Sequence, residues 1–206
     1  MAPDRHITPP AGRPGKADLR RRRNTRQENP RILIVTEGER TEPGYFDGLA
    51  RAIRATGVRV VNAKVIGTGR DPETVVRQAL THRAYRDDFD AYWCVVDVDS
   101  HNTLSKALDL AAREQIAVAV SNPCFEIWLL WHYVDHTAHI RPDGLRKALR
   151  KHRFADKALP GDFPFERYQA AVDRAVRAAP ESSAGSRGPN PSSSVAALVM
   201  LMVEGI

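Results

Sequence analysis

Asp97 and Asp99 stand one residue apart at the end of the apolar run Tyr92-Trp93-Cys94-Val95-Val96. A strand turns alternate side chains to the same face, so both carboxylates can aim at one point beyond the strand's end. Hard oxygen ligands of this kind suit Mg²⁺ or Mn²⁺. Glu37 holds the matching position after an earlier apolar run, Ile32-Leu33-Ile34-Val35-Thr36. If both runs are parallel strands, their ends share an edge, and Glu37, Asp97 and Asp99 meet there. Three like charges repel in a partly buried site, and a divalent cation relieves that repulsion. One or two cations could then bind the attacking and leaving oxygens of a phosphodiester, which makes the three acids candidate catalytic groups as well as metal ligands. The plain alternative is that Asp97 ends a strand and Asp99 begins a turn.

Other residues carry weaker signals. Gly67-Thr68-Gly69-Arg70 precedes a helix and could cradle a phosphate on backbone N–H groups. Its spacing matches neither a P-loop nor a dinucleotide fingerprint, and a simple turn explains it as well. Lys64 and Arg70 are candidates for phosphate contacts. His101, just past the acids, could contact phosphate or move a proton, or could be an ordinary polar loop residue. Glu126 opens an apolar helix, where it either answers the helix N-terminus or faces the acid site. His132, His136 and His139 cluster near that helix's far end. They lack a clear fourth zinc ligand and read as surface or partly buried residues. Trp128 and Trp131 lie within Ile-Trp-Leu-Leu-Trp and read as core. Cys124 has no evident base beside it and reads as packing.

The elements that must position these residues alternate along the chain. Strands are expected over 31–36, 58–66, 91–97 and 116–120. Helices are expected from Thr41 to about Gly57, from Asp71-Pro72 onward, and over 103–115. Short links between alternating strands and helices predict a parallel sheet with helices on both faces. A buried helix over 127–133 follows, then amphipathic helices over 142–153 and 165–178. A Pro/Gly/Ser loop, 180–193, and an apolar helix over 195–203 close the chain. The expected organisation is a tail, 1–30, and one domain, 31–206, made of a core (31–135) and a helical extension (136–206).

The net charge of +6 is concentrated in the tail. Residues 1–31 carry nine Lys or Arg and three acids, while the remainder is formally neutral. A basic, Pro- and Gly-bearing leader is expected to be disordered, and either to contact nucleic acid or to aid solubility. The two cysteines form no Cys-x-x-Cys arrangement, which fits a reducing cytoplasm. No apolar run is long enough to span a bilayer, and the tail lacks the apolar core of a secretory signal. The expected location is therefore cytoplasmic, with no membrane contact.

A glutamate after the first strand and an Asp-x-Asp after a later one resemble the signature of the Toprim fold. The string Ile32-Leu33-Ile34-Val35-Thr36-Glu37-Gly38-Glu39-Arg40-Thr41-Glu42-Pro43-Gly44-Tyr45-Phe46 resembles the opening motif of the RloB-like family. Ser121-Asn122-Pro123-Cys124-Phe125-Glu126-Ile127-Trp128-Leu129-Leu130 resembles its second motif, and Asn190-Pro191-Ser192-Ser193-Ser194-Val195 its closing one. The likeness covers roughly residues 31–203. It implies an α/β, Toprim-like (Rossmannoid) parallel sheet flanked by helices, with a helical C-terminal extension. It implies Mg²⁺ or Mn²⁺, and nuclease activity on DNA or RNA, tRNA included, in bacterial defence against phage. The implied partner is an OLD- or ABC-type ATPase encoded nearby. Glu42 matches the second glutamate of the Glu-Gly-x-x-Thr-Glu-type opening and Glu126 that of Asn-Pro-x-Phe-Glu, which adds both to the metal set. Ser100-His101 follows the Asp-x-Asp where a further acid would complete the Toprim pattern. The rival function is a non-catalytic sensor or regulatory subunit that binds nucleotide, nucleic acid or the ATPase. An oligomer is compatible with either.

Overall fold

The computed structural model describes residues 30–57, 62–85, 88–98, 102–155 and 158–204. The expected basic tail and the first residues of the second expected strand lie outside them. Four parallel strands, β1 (Arg31–Thr36), β2 (Asn62–Gly67), β3 (Ala91–Asp97) and β4 (Ala117–Asn122), form one sheet with a two-residue antiparallel strand, β5 (Ser192–Ser193). The order is β2-β1-β3-β4-β5. The chain leaves β1 towards β2 and then crosses back to β3 on β1's other side. In such doubly wound sheets the crevice for ligands opens where the two connections diverge, at the carboxyl ends of β1 and β3.

The central stretches of β1, β3 and β4 are apolar because both faces of the sheet are covered there. On one face, Ile32, Ile34, Trp93, Val95 and Ala119 pack under α1 (Thr41–Ala55), α4 (Glu126–Leu130), α5 (Pro142–Arg150), α6 (Tyr168–Ala178) and α7 (Val195–Glu204). On the other, Leu33, Val35, Cys94, Val96, Val118 and Val120 pack under α2 (Pro72–Tyr85) and α3 (Leu104–Arg113). The alternation of these two sets is the period-two pattern of a strand.

Helix α1 buries the expected stripe, Tyr45, Phe46, Leu49 and Ile53. Gly57, at φ +81°, ends it in a conformation that side chains rarely adopt. Thr41 is not its cap: Arg40 holds that place and Thr41 begins the helix. Asp71 does cap α2, its Oδ1 accepting the N–H groups of Glu73 (3.1 Å) and Thr74 (3.4 Å). Helix α4 is shorter than the apolar run suggests, because residues 131–133 form turns rather than helix.

Strand β5 was not expected. It is held by backbone and side-chain bonds to β4, including Ser121 Oγ to Ser193 Oγ at 2.9 Å and Val120 N–H to Ser194 Oγ at 2.8 Å. The helical extension is therefore tied into the sheet, and α7 adds Val195, Leu198, Val199 and Met202 to the core. Among the described residues, no helix is long and apolar enough to cross a membrane.

Candidate active site

Glu37 leaves β1 still bonded to the sheet, its N–H donating to Val95 O at 3.0 Å. Its side chain turns across the β1/β3 gap, where Oε2 accepts the backbone N–H of Asp97 at 3.1 Å. The two acid-bearing strand ends are thus in direct contact, and both residues are half-buried. Asp99 and His101 lie outside the described residues.

The turn after β2 braces this corner. Thr68 N–H donates to Thr36 O (3.0 Å), Gly69 N–H to Glu37 O (2.8 Å) and Arg70 N–H to Thr68 Oγ (3.2 Å). These donors serve the protein's own backbone and hydroxyl groups, so the turn supports Glu37 rather than cradling a phosphate. Gly67 is required here, since a Cβ would sit 2.6 Å from Gly38 O and from the Glu39 backbone.

Glu42 enters from the first turn of α1. It is only 7% exposed, and its Oε1 accepts the Gly38 N–H at 3.0 Å. A side chain at Gly38 would collide with this carboxylate, so glycine is what lets Glu42 fold back on the loop. Burial raises the Glu42 pKa to about 7; the charges of Glu126 and Glu37 push the same way, and the backbone N–H bonds oppose them.

Glu126 is half-buried at the start of α4. Cys124 O and Phe125 O take the N–H groups of Ile127 and Trp128, each at 3.0 Å. The first-turn donors are thereby occupied, and no side chain caps this helix. Glu126 lines the same cleft as Glu42, and its charge acts on that carboxyl.

These groups line one cleft of about 520 Å³. Glu37, Glu42, Asp97, Glu126 and Arg70, all singled out in the sequence, meet there. Lys64 does not: it is exposed on the edge strand β2 and lies outside the lining. Asp71 also lines the cleft, but its carboxylate is engaged with α2, and the Thr74 hydroxyl bond (2.6 Å) holds its pKa down. Three charged lining residues carry no role in the sequence reading: Glu39, Arg40 and Arg146. The first two fall inside the opening motif, so their place was readable. Arg146 comes from α5, far along the chain, and nothing in its local sequence marks it.

Among the described residues, no three His, Cys, Asp or Glu side chains form a group that could hold a metal ion. This applies to the histidines as well. His136 is half-buried and His139 exposed. His132, expected near the surface, is instead fully buried, with Nδ1 on Trp128 O (3.1 Å) and Nε2 on the Tyr45 hydroxyl (3.2 Å). Burial pushes its pKa down to about 4, so it is a neutral core residue. The apolar run ends here, but the core does not.

The family model described as RloB-like protein matches residues 32–202, a span from β1 to α7 that takes in the whole lining of the cleft. Neither the curated proteins nor the solved structures contain a match.

Proposed function

The chain belongs to the RloB-like family, and from that premise we propose that it is a Toprim-type nuclease, hydrolysing phosphodiesters of DNA or RNA with Mg²⁺ or Mn²⁺. The observation that carries this reading is the contact of Glu37 and Asp97 at the sheet's ligand crevice, inside a cleft with more acids than bases. Six acids and three arginines line it. A phosphate that reached the recessed acids would meet like charge, which a bound cation offsets.

The donor chemistry fits such a cation. Mg²⁺ is usually held by one or two carboxylates together with water and substrate phosphate, not by an all-protein cage. Glu37 and Asp97 would supply that pair, with Asp99 two residues beyond Asp97 in sequence and Glu42 and Glu126 also in the lining. When bound, the ion offsets phosphoryl charge and makes water nucleophilic at neutral pH.

The chain's own residues do the rest. The Asp97 N–H fixes Glu37 Oε2 and so orients that carboxylate at the crevice. Glu42, near pKa 7, can take up or release a proton at Oε2 while Gly38 holds Oε1. Hydrolysis adds water across one P–O bond, leaving a phosphate on one end and a hydroxyl on the other. The biological role we propose is the one the family resemblance implies: the cutting arm of a cytoplasmic phage-defence pair with an OLD- or ABC-type ATPase.

A second reading, a non-catalytic nucleotide- or nucleic-acid-binding subunit, is favoured by the lack of a three-residue metal group among the described residues. One experiment separates them. The pure protein, with and without its ATPase, is incubated with DNA and total RNA in Mg²⁺, Mn²⁺ or chelator. Cutting that needs the metal supports the nuclease. Binding without cutting, with the ATPase present and active, supports the subunit.

A further inference from the structure

The cleft holds its charges apart. Glu37, Glu42, Asp97 and Glu126 are recessed, while Arg40, Arg70 and Arg146 are exposed around them, with Glu39 as the one exposed acid. None of these three guanidinium groups makes an ion pair or a side-chain hydrogen bond among the described residues. Elsewhere on the surface, Arg31, Arg77, Arg83, Arg153, Arg174 and Arg177 each lie against a carboxylate, while Arg51, Arg54, Arg113 and Arg150 make no ion pair among the described residues either; what sets the three apart is that they share one cleft. Three arginines sharing one cleft with six acids, and pairing with none, are available to an external anion.

They also come from three separate elements. Arg40 precedes α1, Arg70 precedes α2, and Arg146 lies on α5. Helix α5 is anchored by Leu145 and Leu149, both buried, which fixes the neighbouring Arg146 at the rim. Guanidinium forks suit phosphate oxygens better than any other side chain, because two N–H groups can meet two oxygens at once.

We propose that Arg40, Arg70 and Arg146 form a phosphate-binding rim for an unpaired nucleic-acid strand, with Arg146 of the C-terminal extension completing it. The ligand class rests on the nuclease reading above. Three features select a single strand over a duplex. The cleft, at about 520 Å³, is the size of a small-ligand site, with room for a nucleotide or two. Four of its acids, Glu37, Glu42, Asp97 and Glu126, are more buried than the rim arginines, where a convex duplex backbone does not reach. A duplex is also stiff over roughly 150 base pairs, whereas an unpaired strand can bend inward. Among the described residues, no exposed aromatic ring lines the cleft, Phe125 being 1% exposed. Base stacking, the usual source of base preference on single strands, is therefore not supplied, and recognition falls on phosphate.

The test uses the full chain in chelator, so that nothing is cut. Fluorescence anisotropy follows a labelled oligothymidylate, a mixed-sequence strand of the same length, a duplex of that length and a nucleoside monophosphate across a salt series. Arg146→Gln and Arg70→Gln are each expected to weaken single-strand binding about tenfold and to reduce the salt slope by roughly 0.7. The two single strands should bind within about twofold of one another. Arg150→Gln, on the same helix but outside the cleft, should change nothing. Unaltered binding by both Arg146→Gln and Arg70→Gln overturns the proposal, as does a duplex or monophosphate that binds more tightly with the same arginine dependence. Cleavage in Mg²⁺ is read separately. A protein that cuts without rim dependence keeps the nuclease reading and loses the rim; one that never cuts but shows the dependence keeps the rim and loses the nuclease.

Discussion

The opening segment, 36–42, and the closing segment, 190–195, both bury polar groups, and they satisfy them in opposite ways. In the closing segment neutral groups complete one another. Asn190 gives and takes bonds with the Ile140 backbone, both 2.9 Å, and Ser193 and Ser194 bond to β4. Only Ser192 Oγ lacks a partner there. In the opening segment Thr36 is also satisfied by a neutral partner, its Oγ donating to Gly38 O at 2.8 Å, but the other buried group is the Glu42 carboxyl, and the charges that act on it, Glu126 and Glu37, are of its own sign. Reciprocated neutral bonds hold a fold together at small net gain. Like charges gathered by a fold work against its stability and are the usual mark of a site that expects a ligand. Two motifs equally conspicuous in sequence therefore do different things. The closing one fastens the C-terminal segment to the sheet, and the opening one prepares a cleft.

The strongest way to break this comparison is Asp97→Asn. The change keeps size and removes charge. Metal-dependent cleavage should fall at least about 100-fold, while stability in denaturant changes by less than about 1 kcal/mol. An active variant would remove Asp97 from the chemistry.

Glu42→Gln addresses the strain directly. The Glu42 pKa rises from 4.5 to about 7 on folding, so between those values the folded state holds more protons than the unfolded one. Stability from this group is therefore complete below pH 4.5 and is lost as pH rises through 7. The loss is at most on the order of 3 kcal/mol. In chelator, the wild-type protein should weaken across that window relative to Glu42→Gln, as read by melting at pH 5 and pH 8. Parallel curves would mean that the carboxyl is not strained.

Asn190→Ala tests the other segment. It leaves the Ile140 N–H and C=O without their partner and should cost about 2 kcal/mol. The folded fraction should cut at the wild-type rate. A large loss of rate at unchanged stability would merge the two segments into one functional unit.

The legible parts of this molecule were those set by local pattern. Strands β1, β3 and β4 announce themselves as unbroken apolar runs, and the register of α1 follows from its aromatic stripe. Glu37 and Asp97 could be placed together because each stands at the carboxyl end of a strand in one parallel sheet. What escaped depends on distant partners. Strand β5 is two serines, with no hydrophobic period, and exists only because β4 offers an edge. Arg146 is one of several basic residues on the polar side of α5, and only the packed position of the helix decides which of them meets the cleft. His132 was misjudged because the core extends past α4 through Phe163, 4.8 Å away between ring centroids, which no pattern near residue 132 reveals.

The smallest expected effect belongs to Glu126→Gln, and it asks which wall of the cleft strains Glu42. Burial is the main cause of the raised Glu42 pKa, and Glu126 is the larger of the two charge contributions. Removing that charge should lower the Glu42 pKa without restoring its ordinary value, because the carboxyl stays buried. Carbon-13 titration of labelled glutamates in chelator reads this directly. A capping role would instead predict a stability loss of up to about 1 kcal/mol and no change at Glu42. The cap is disfavoured on geometry, since the N–H groups of Ile127 and Trp128 already bond to Cys124 O and Phe125 O. If Glu42 titrates as before in the variant, the two carboxylates do not sense each other and Glu126 does not belong to the acid cluster. If it shifts downward, with stability held and cleavage reduced, the wall between α1 and α4 belongs to the same site as the β1/β3 edge.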